Sequence, residues 1–371
     1  MPPRIHLIAA ARPNFMKVAP IWRAMQRRDG QFDARLIHTG QHYDANMSDV
    51  FFADLGLPRP HLHLGVGSGS HAEQTAGVLV KYEAVCRAEH PDLVLVVGDV
   101  NATLAATLAA RKLQIPVGHV EAGLRSRDRT MPEEVNRVVT DTIADLLFTP
   151  SVDGDANLLA EGVPAERIHR VGNVMIDSLV EALDRIKGSE RHVAHGLRDG
   201  GYGLVTLHRP SNVDEPDRLR RLCEVLGALD FPLLFPVHPR TRKVMQGHGL
   251  WERWGNGSGP VRLCDPLGYD EFLDLMVHAR LVITDSGGIQ EETTYLGIPC
   301  LTLRPNTERP VTITQGTNEL ATLETLPDLA GRAIAGHWKK GRVPELWDGR
   351  TAERIVDIVA RYCAGSGGER A

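Results

Sequence analysis

Short runs of Val, Ile and Leu alternate with helix-patterned segments along almost the whole chain, and this alternation restricts the fold more than any other feature. Candidate strands are Arg4–Ala9, Ala34–His38, Leu93–Val97, Val117–Val120, Leu146–Thr149 and Ile168–Val171, with helical patterns such as Val18–Arg28, His71–Glu89 and Ala102–Leu113 between them. Apolar strands separated by helices imply parallel sheets covered on both faces. After Val174–Lys187 and a charged, Gly-rich stretch a second series begins: Gly203–Leu207, Leu233–Val237, Val261–Leu263, Leu281–Thr284 and Cys300–Leu303. The pattern predicts an α/β protein of two doubly wound, Rossmann-like domains, covering 1–172 and 173–351, and 371 residues suffice for both. Open parallel sheets bind ligands beyond the carboxyl ends of their strands, so strand-end motifs are expected to face each other across a cleft.

Bulk properties exclude several classes. A formal charge of −5 leaves no basic footprint for nucleic acid. No apolar run is long enough to cross a membrane, and Met1–Ala9 runs straight into strand-like sequence without a signal-peptide pattern. The five cysteines are scattered and lack CxxC spacing, so neither a zinc site nor a disulfide framework is expected. They read as thiols of a cytoplasmic protein.

The richest segment is Ile283–Gly297, ITDSGGIQEETTYLG. A strand runs into Ser286, Gly287 and Gly288 and then into a helix carrying Glu291 and Glu292. Glycines at that turn let a ligand approach the backbone, and a helix start favours an anion. The alternative is an ordinary Ser/Gly cap. The first strand ends in AAARPNFMK, which lacks the GxGxxG loop of nicotinamide and flavin sites but sets Arg12 and Lys17 around a helix start. Cations there are wasteful unless an anion joins them or they point into water.

Three acids follow neighbouring strands. Asp99 and Glu121 lie just past strand ends, and Glu133 opens a helix at Pro132. Each has a plain alternative: Asp99 as a helix cap, Glu121 paired with Arg125, Glu133 paired with Arg137. Together they predict a site. In the second half, His208 and His238 each follow a strand with an Arg close by, and Arg309 lies after the fifth strand, where it reaches a ligand or pairs with Glu308. No HExxH spacing suggests a metal.

Ten segments in order carry a resemblance: ARPNFMKVAP, HTGQHYD, GDVNAT, HVEAGLRS, MPEEVNR, LHRPSN, VHPRTR, PLGYDEF, TDSGGIQEE and NTERP. Together they resemble the non-hydrolysing UDP-N-acetylglucosamine 2-epimerases, over most of the chain. The resemblance implies a glycosyltransferase-B-type fold whose last helix, 352–364, packs back on the N-terminal domain. It implies a UDP-sugar substrate, no cofactor and a homodimer. By position, Ser286, Gly287 and Gly288 would hold the diphosphate and Glu292 the ribose hydroxyls, and Phe272 would lie near uracil. Arg12, Lys17, His238 and Arg309 would line the phosphate and sugar region, with Arg137 touching substrate. Asp99, Glu121, Glu133 and His208 match the catalytic residues. Gln41 and His42 match a loop that binds a second UDP-N-acetylglucosamine as an activator. Two loops depart from the usual family wording, at Ala10–Asn14 and at Ser211-Asn212.

The family's reaction suits these groups. The C-2 proton of the sugar is not next to a carbonyl. UDP therefore leaves from C-1 as the proton is removed, giving 2-acetamidoglucal, and adds back as a proton arrives on the other face. Alternatives are a hydrolysing epimerase releasing N-acetylmannosamine and UDP, an epimerase of a UDP-diacetamido sugar, a UDP-sugar glycosyltransferase, and a non-catalytic UDP-sugar sensor.

Overall fold

The computed structural model describes residues 1–40, 55–254 and 259–366. The chain divides into two compact units, Met1–Ser178 with Glu345–Ala371, and Leu179–Pro344.

The first unit is built on a parallel sheet of seven strands: β1 Arg4–Ala9, β2 Asp33–His38, β3 Leu62–His63, β4 Leu93–Val97, β5 Val117–Val120, β6 Leu146–Thr149 and β7 Ile168–Arg170. Their spatial order is β3-β2-β1-β4-β5-β6-β7. β3 was not foreseen; two residues are too short for a periodic signal. Every residue of β4 is buried, as a central strand covered on both faces requires. On one face Val94 and Val96 pack with Tyr82 of the His71–Glu89 helix and with Ala102, Ala105, Ala106, Ala109 and Ala110 of the Asn101–Lys112 helix. Alanine at helical spacing lets that helix lie close to the strands.

The Arg12–Gln26 helix starts six residues before its expected Val18, because Pro13 in its first turn favours initiation. Pro20 lies inside it and cannot donate to the Met16 carbonyl. The Ser178 hydroxyl donates to that carbonyl instead. The Thr351–Ser366 helix packs against this helix. Its first N–H groups, from Thr351 and Ala352, donate to the Asp177 carboxylate at 3.1 and 2.7 Å. Burial pushes the Asp177 carboxyl up to about 6.

The second unit repeats the plan with β8 Gly203–Thr206, β9 Leu233–Pro236, β10 Val261–Cys264, β11 Leu281–Thr284, β12 Cys300–Thr302 and β13 Asn318–Leu320, in the order β10-β9-β8-β11-β12-β13. β13 was also unforeseen: NEL has no apolar run. Both sheets are wholly parallel. In each the strand order reverses beside the first strand, between β1 and β4 and between β8 and β11, which is where an open α/β sheet leaves a crevice. The fold class expected from the sequence is therefore present. No described helix is long and apolar enough to cross a membrane.

Candidate active site

In the first unit the motif residues gather at the reversal point. Asn14 joins the two sides: its Oδ1 accepts from the Ala11 N–H (3.0 Å), and its Nδ2 donates to the Val97 carbonyl at the end of β4 (3.2 Å). One turn on, Lys17 does not point into water. It is 8 % exposed and pairs with Glu121, itself 7 % exposed, so Glu121 takes Lys17 rather than Arg125 as its partner. Gly98 makes room, since a Cβ there would lie 3.1 Å from Lys17 Nζ and its φ is +67°. Glu121 itself has φ +72°, a left-handed conformation unusual for a residue with a Cβ. The Glu121 and Ala122 N–H groups both donate to the Phe148 carbonyl at 3.1 Å, which holds the turn. Strain of this kind gathers at functional sites.

Asp99 does not cap the next helix, whose N-cap is Val100. Its Oδ2 accepts two bonds from Arg137, at 3.0 and 2.7 Å. The third arm of Arg137 reaches Glu134 at 2.7 Å, so Arg137 pairs with Asp99 and Glu134, and not with Glu133. Glu134 also accepts the Ser126 and Arg127 N–H groups (2.9 and 2.8 Å). Burial works to raise its pKa, but these donors and Arg137 outweigh burial and hold the carboxyl below its usual value. Glu133, half-buried in the same first helical turn, has no hydrogen bond or ion pair among the described residues. Asp99 and Glu121 thus follow paired strands, and Glu133 lies on the helix that Arg137 ties to Asp99.

Behind them stands a buried network the sequence did not announce. Asp141 accepts from His119 Nδ1 (2.6 Å), the Gly123 N–H (3.0 Å) and Arg125 (2.7 Å), while His119 Nε2 donates to the Gly98 carbonyl (2.8 Å). It fixes the backbone on both sides of Glu121.

In the second unit the organising group is Asp285, wholly buried at the end of β11. It accepts the His208 N–H (3.1 Å), the Arg209 N–H (2.9 Å) and Asn212 Nδ2 (3.1 Å), pinning the loop after β8 to the turn after β11. His208 and His238 lie with ring centroids 5.5 Å apart. His238 Nδ1 accepts the Arg240 N–H at 3.2 Å, which leaves Nε2 to donate. Burial is the main cause that lowers both imidazole pKa values, with a neighbouring Arg240 adding to it in each case.

The Gly287–Leu296 helix starts at the glycine turn with Ser286 as its N-cap, and the Ser286 side chain caps nothing. Gly287 is needed for close approach: a Cβ there would lie 2.6 Å from Arg309 Nη1 and 3.0 Å from Glu308 Oε1. Arg309 pairs with Glu308, and also with Glu291 at 2.6 Å. Glu292, 2 % exposed, accepts from the Tyr269 hydroxyl at 2.7 Å through Oε1, while its Oε2 has no hydrogen-bond partner among the described residues. Burial pushes the Glu292 carboxyl up to about 7. Phe272 is half-buried one turn after Tyr269. The side chain of Arg12 lies outside what the structure describes, as do Gln41 and His42.

Asp285, Tyr269 and Asn14 were not singled out as candidate site residues, although all three lie inside the ten motif segments. A strand-end acid directly before a glycine turn was the available signal for Asp285. Among the described residues one cluster offers metal ligands: His192, Asp274 and His278, whose ligand atoms lie within 4.8 Å of one another. Its two imidazoles are stacked, centroids 3.8 Å apart and 22° from parallel. Zinc must lie in the plane of each ring at about 2.0–2.1 Å, which this stack does not allow.

The family model described as UDP-N-acetylglucosamine 2-epimerase matches residues 23–360. The chain belongs to that family. The UDP-N-acetylglucosamine 2-epimerase of Methanocaldococcus jannaschii is 40 % identical over 363 residues, 96 % of this chain and 98 % of that protein. Its crystal structure in complex with UDP-GlcNAc and UDP matches with a TM-score of 0.86, covering 96 % of this chain and 99 % of that one. The UDP-2,3-diacetamido-2,3-dideoxy-D-glucuronate 2-epimerase of Pseudomonas aeruginosa is 41 % identical over 322 residues, 85 % of this chain and 88 % of that protein.

Proposed function

We propose that this member of the UDP-N-acetylglucosamine 2-epimerase family interconverts UDP-N-acetylglucosamine and UDP-N-acetylmannosamine by elimination and re-addition of UDP, without net hydrolysis. The observation that carries the reading is the buried Lys17–Glu121 pair at the carboxyl end of β5, beside Asp99 and held in a strained backbone turn. Opposite faces of one sugar ring are not easily served by a single acid–base group at C-2. Asp99, Glu121 and Glu133 fill that role, and such groups typically contribute about 10²–10⁴-fold each.

In the forward step the C-1–oxygen bond breaks and its electron pair leaves with UDP. The C-2 proton passes to a carboxylate, and the C–H pair becomes the C-1=C-2 bond of 2-acetamidoglucal. UDP then adds back to C-1 while a second acid protonates C-2 from the other face. Charge growing on the diphosphate is met by the N–H groups of Ser286, Gly287 and Gly288 at the helix start, and by Arg12, Lys17, Arg137, His238 and Arg309. His208, whose backbone N–H is anchored on Asp285, supports the diphosphate or relays a proton. The ribose hydroxyls donate to Glu292, and Phe272 lies near uracil.

The reading extends to two domains, 1–172 and 173–351, with the 352–364 helix belonging to the first, to a homodimer, to cytoplasmic precursor supply for a cell-surface polysaccharide, and to activation by a second UDP-N-acetylglucosamine through Gln41 and His42. Incubation with UDP-N-acetylglucosamine tests the core claim: the proposal requires a nucleotide-linked product, and free N-acetylmannosamine with UDP would favour hydrolysis. A second reading, epimerisation of a UDP-diacetamido uronic acid, is favoured by the 41 % identity to the Pseudomonas aeruginosa enzyme. Turnover of that substrate alone would select it.

A further inference from the structure

Asp99 and Glu121 sit on two turns whose backbone needs holding. Gly98, directly before Asp99, has φ +67° and no Cβ, so its peptide rotates at little steric cost. Glu121 has φ +72°, and Gly123, two residues on, has φ +81°. The turns also touch, since a Cβ on Gly98 would lie 3.6 Å from Glu121 Oε2. A rotation of the Gly98 peptide would swing Asp99 and disturb the floor under the Lys17–Glu121 pair.

One buried pair grips both turns. His119 is 0 % and Asp141 1 % exposed. His119 Nε2 meets the Gly98 carbonyl at 2.8 Å, while the Gly98 N–H donates to the Val120 carbonyl at 3.1 Å. His119 Nδ1 meets Asp141 Oδ1 at 2.6 Å, and Asp141 Oδ2 accepts the Gly123 N–H at 3.0 Å and Arg125 at 2.7 Å. The Gly98 carbonyl has no proton to give. Asp141 is ionised: burial works to raise its pKa, but His119 and Arg125 outweigh burial and hold the carboxyl below its usual value. Both ring nitrogens of His119 therefore donate, which only an imidazolium does. Charge-assisted hydrogen bonds are roughly twice as strong as neutral ones, so this ring holds the Gly98 peptide more firmly than a neutral donor would.

We infer that His119 and Asp141 are positioning residues for the reaction, an imidazolium–carboxylate clamp that sets the spacing of the Asp99 and Glu121 carboxyl groups by holding the Gly98 carbonyl and the Gly123 N–H. The inference rests on the epimerase reading given above. Both side chains are shut off from solvent, so they act through the backbone and not on the sugar. A misplacement of about 1 Å in a reacting group can cost about 10²-fold in rate.

The test is C-2 exchange kinetics of the full chain on UDP-N-acetylglucosamine in deuterated water, for wild type, His119→Asn and His119→Gln. An Asn amide replaces Nδ1 toward Asp141 and falls short of Gly98, whereas a Gln amide reaches the Gly98 carbonyl. His119→Asn should lower kcat about 10²-fold with KM changed by no more than about threefold, and His119→Gln should recover about tenfold of that loss. A kcat in His119→Asn equal to wild type, or equal losses in the two variants, would overturn the inference. If His119→Asn does not fold, nitrogen-15 NMR of the histidine rings of the wild-type chain decides, with the His119 signals identified by their loss in His119→Gln. Both His119 ring nitrogens should be protonated at neutral pH, and one bare nitrogen would overturn the clamp. A wild-type chain that exchanges nothing would count against the epimerase reading instead, and the ring spectrum would still test the clamp.

Discussion

Glu292 gives the sharpest quantitative prediction. Its carboxyl is buried at the second turn of the glycine-turn helix, engaged by Tyr269 through one oxygen and unpartnered at the other, and burial raises its pKa to about 7. If the ribose hydroxyls donate to it, the ligand favours the carboxylate and binding releases a proton. A nucleotide sugar is the right probe, because both of its phosphates are diesters and do not titrate near neutrality. With a free-protein pKa of about 7, the ionised fraction rises from about one-tenth at about pH 6 to about nine-tenths at about pH 8. Affinity should therefore rise about tenfold over that interval, about 1.4 kcal/mol. Glu292→Gln keeps an acceptor for Tyr269 and removes the titration. His208 and His238, whose pKa values are lowered, act with the opposite sign, so the difference between wild type and Glu292→Gln isolates the carboxyl. Calorimetry in buffers of different ionisation enthalpy measures both affinity and proton release. An identical pH slope in the two proteins would refute the argument.

Other outcomes follow from the same structure. Gly287→Ala would set a Cβ 2.6 Å from Arg309 Nη1 and force that arginine aside; UDP affinity should fall at least tenfold, with a stability loss of about 1–3 kcal/mol seen by thermal melting. Lys17→Met should destabilise by about 3–5 kcal/mol by removing the charge beside buried Glu121, with part recovered in the Lys17→Met/Glu121→Gln double variant, as denaturant titration would reveal. Glu121→Gln alone should abolish turnover while the melting curve stays cooperative. His38 has its pKa lowered to about 4 by burial and by His63. Its folded value lies below the unfolded one, so stability is full above about pH 6.5 and declines as pH falls toward 4, by on the order of 3 kcal/mol. His38→Phe, which keeps an aromatic ring on Phe15, should flatten that acid limb in pH-dependent unfolding.

The sequence made the fold legible where its signal was periodic. Val- and Ile-rich runs such as β4 and β11 announce buried parallel strands, whereas β3 and β13 arise only from pairing with a neighbour already in place. The candidate site is legible by position: Lys17, Asp99, Glu121, His208 and the glycine turn all follow strand ends. Their partners are not. Local spacing favours Glu121 with Arg125 and Glu133 with Arg137, yet the chain pairs Glu121 with Lys17, 104 residues away, and Arg137 with Asp99. Such choices depend on strand order, which places β1, β4 and β5 side by side, and spacing along the chain carries no record of that. Asp285 shows the same limit, since its role as anchor for the His208 loop requires β8 and β11 to be neighbours.

The central claim is elimination and re-addition at C-2, and proton NMR of the chain with UDP-N-acetylglucosamine in deuterated water tests it most directly. The account predicts that UDP-N-acetylmannosamine appears and that solvent deuterium enters C-2 of both nucleotide sugars. Epimerisation with the C-2 proton retained, or no exchange at all under conditions where UDP binds, would contradict it.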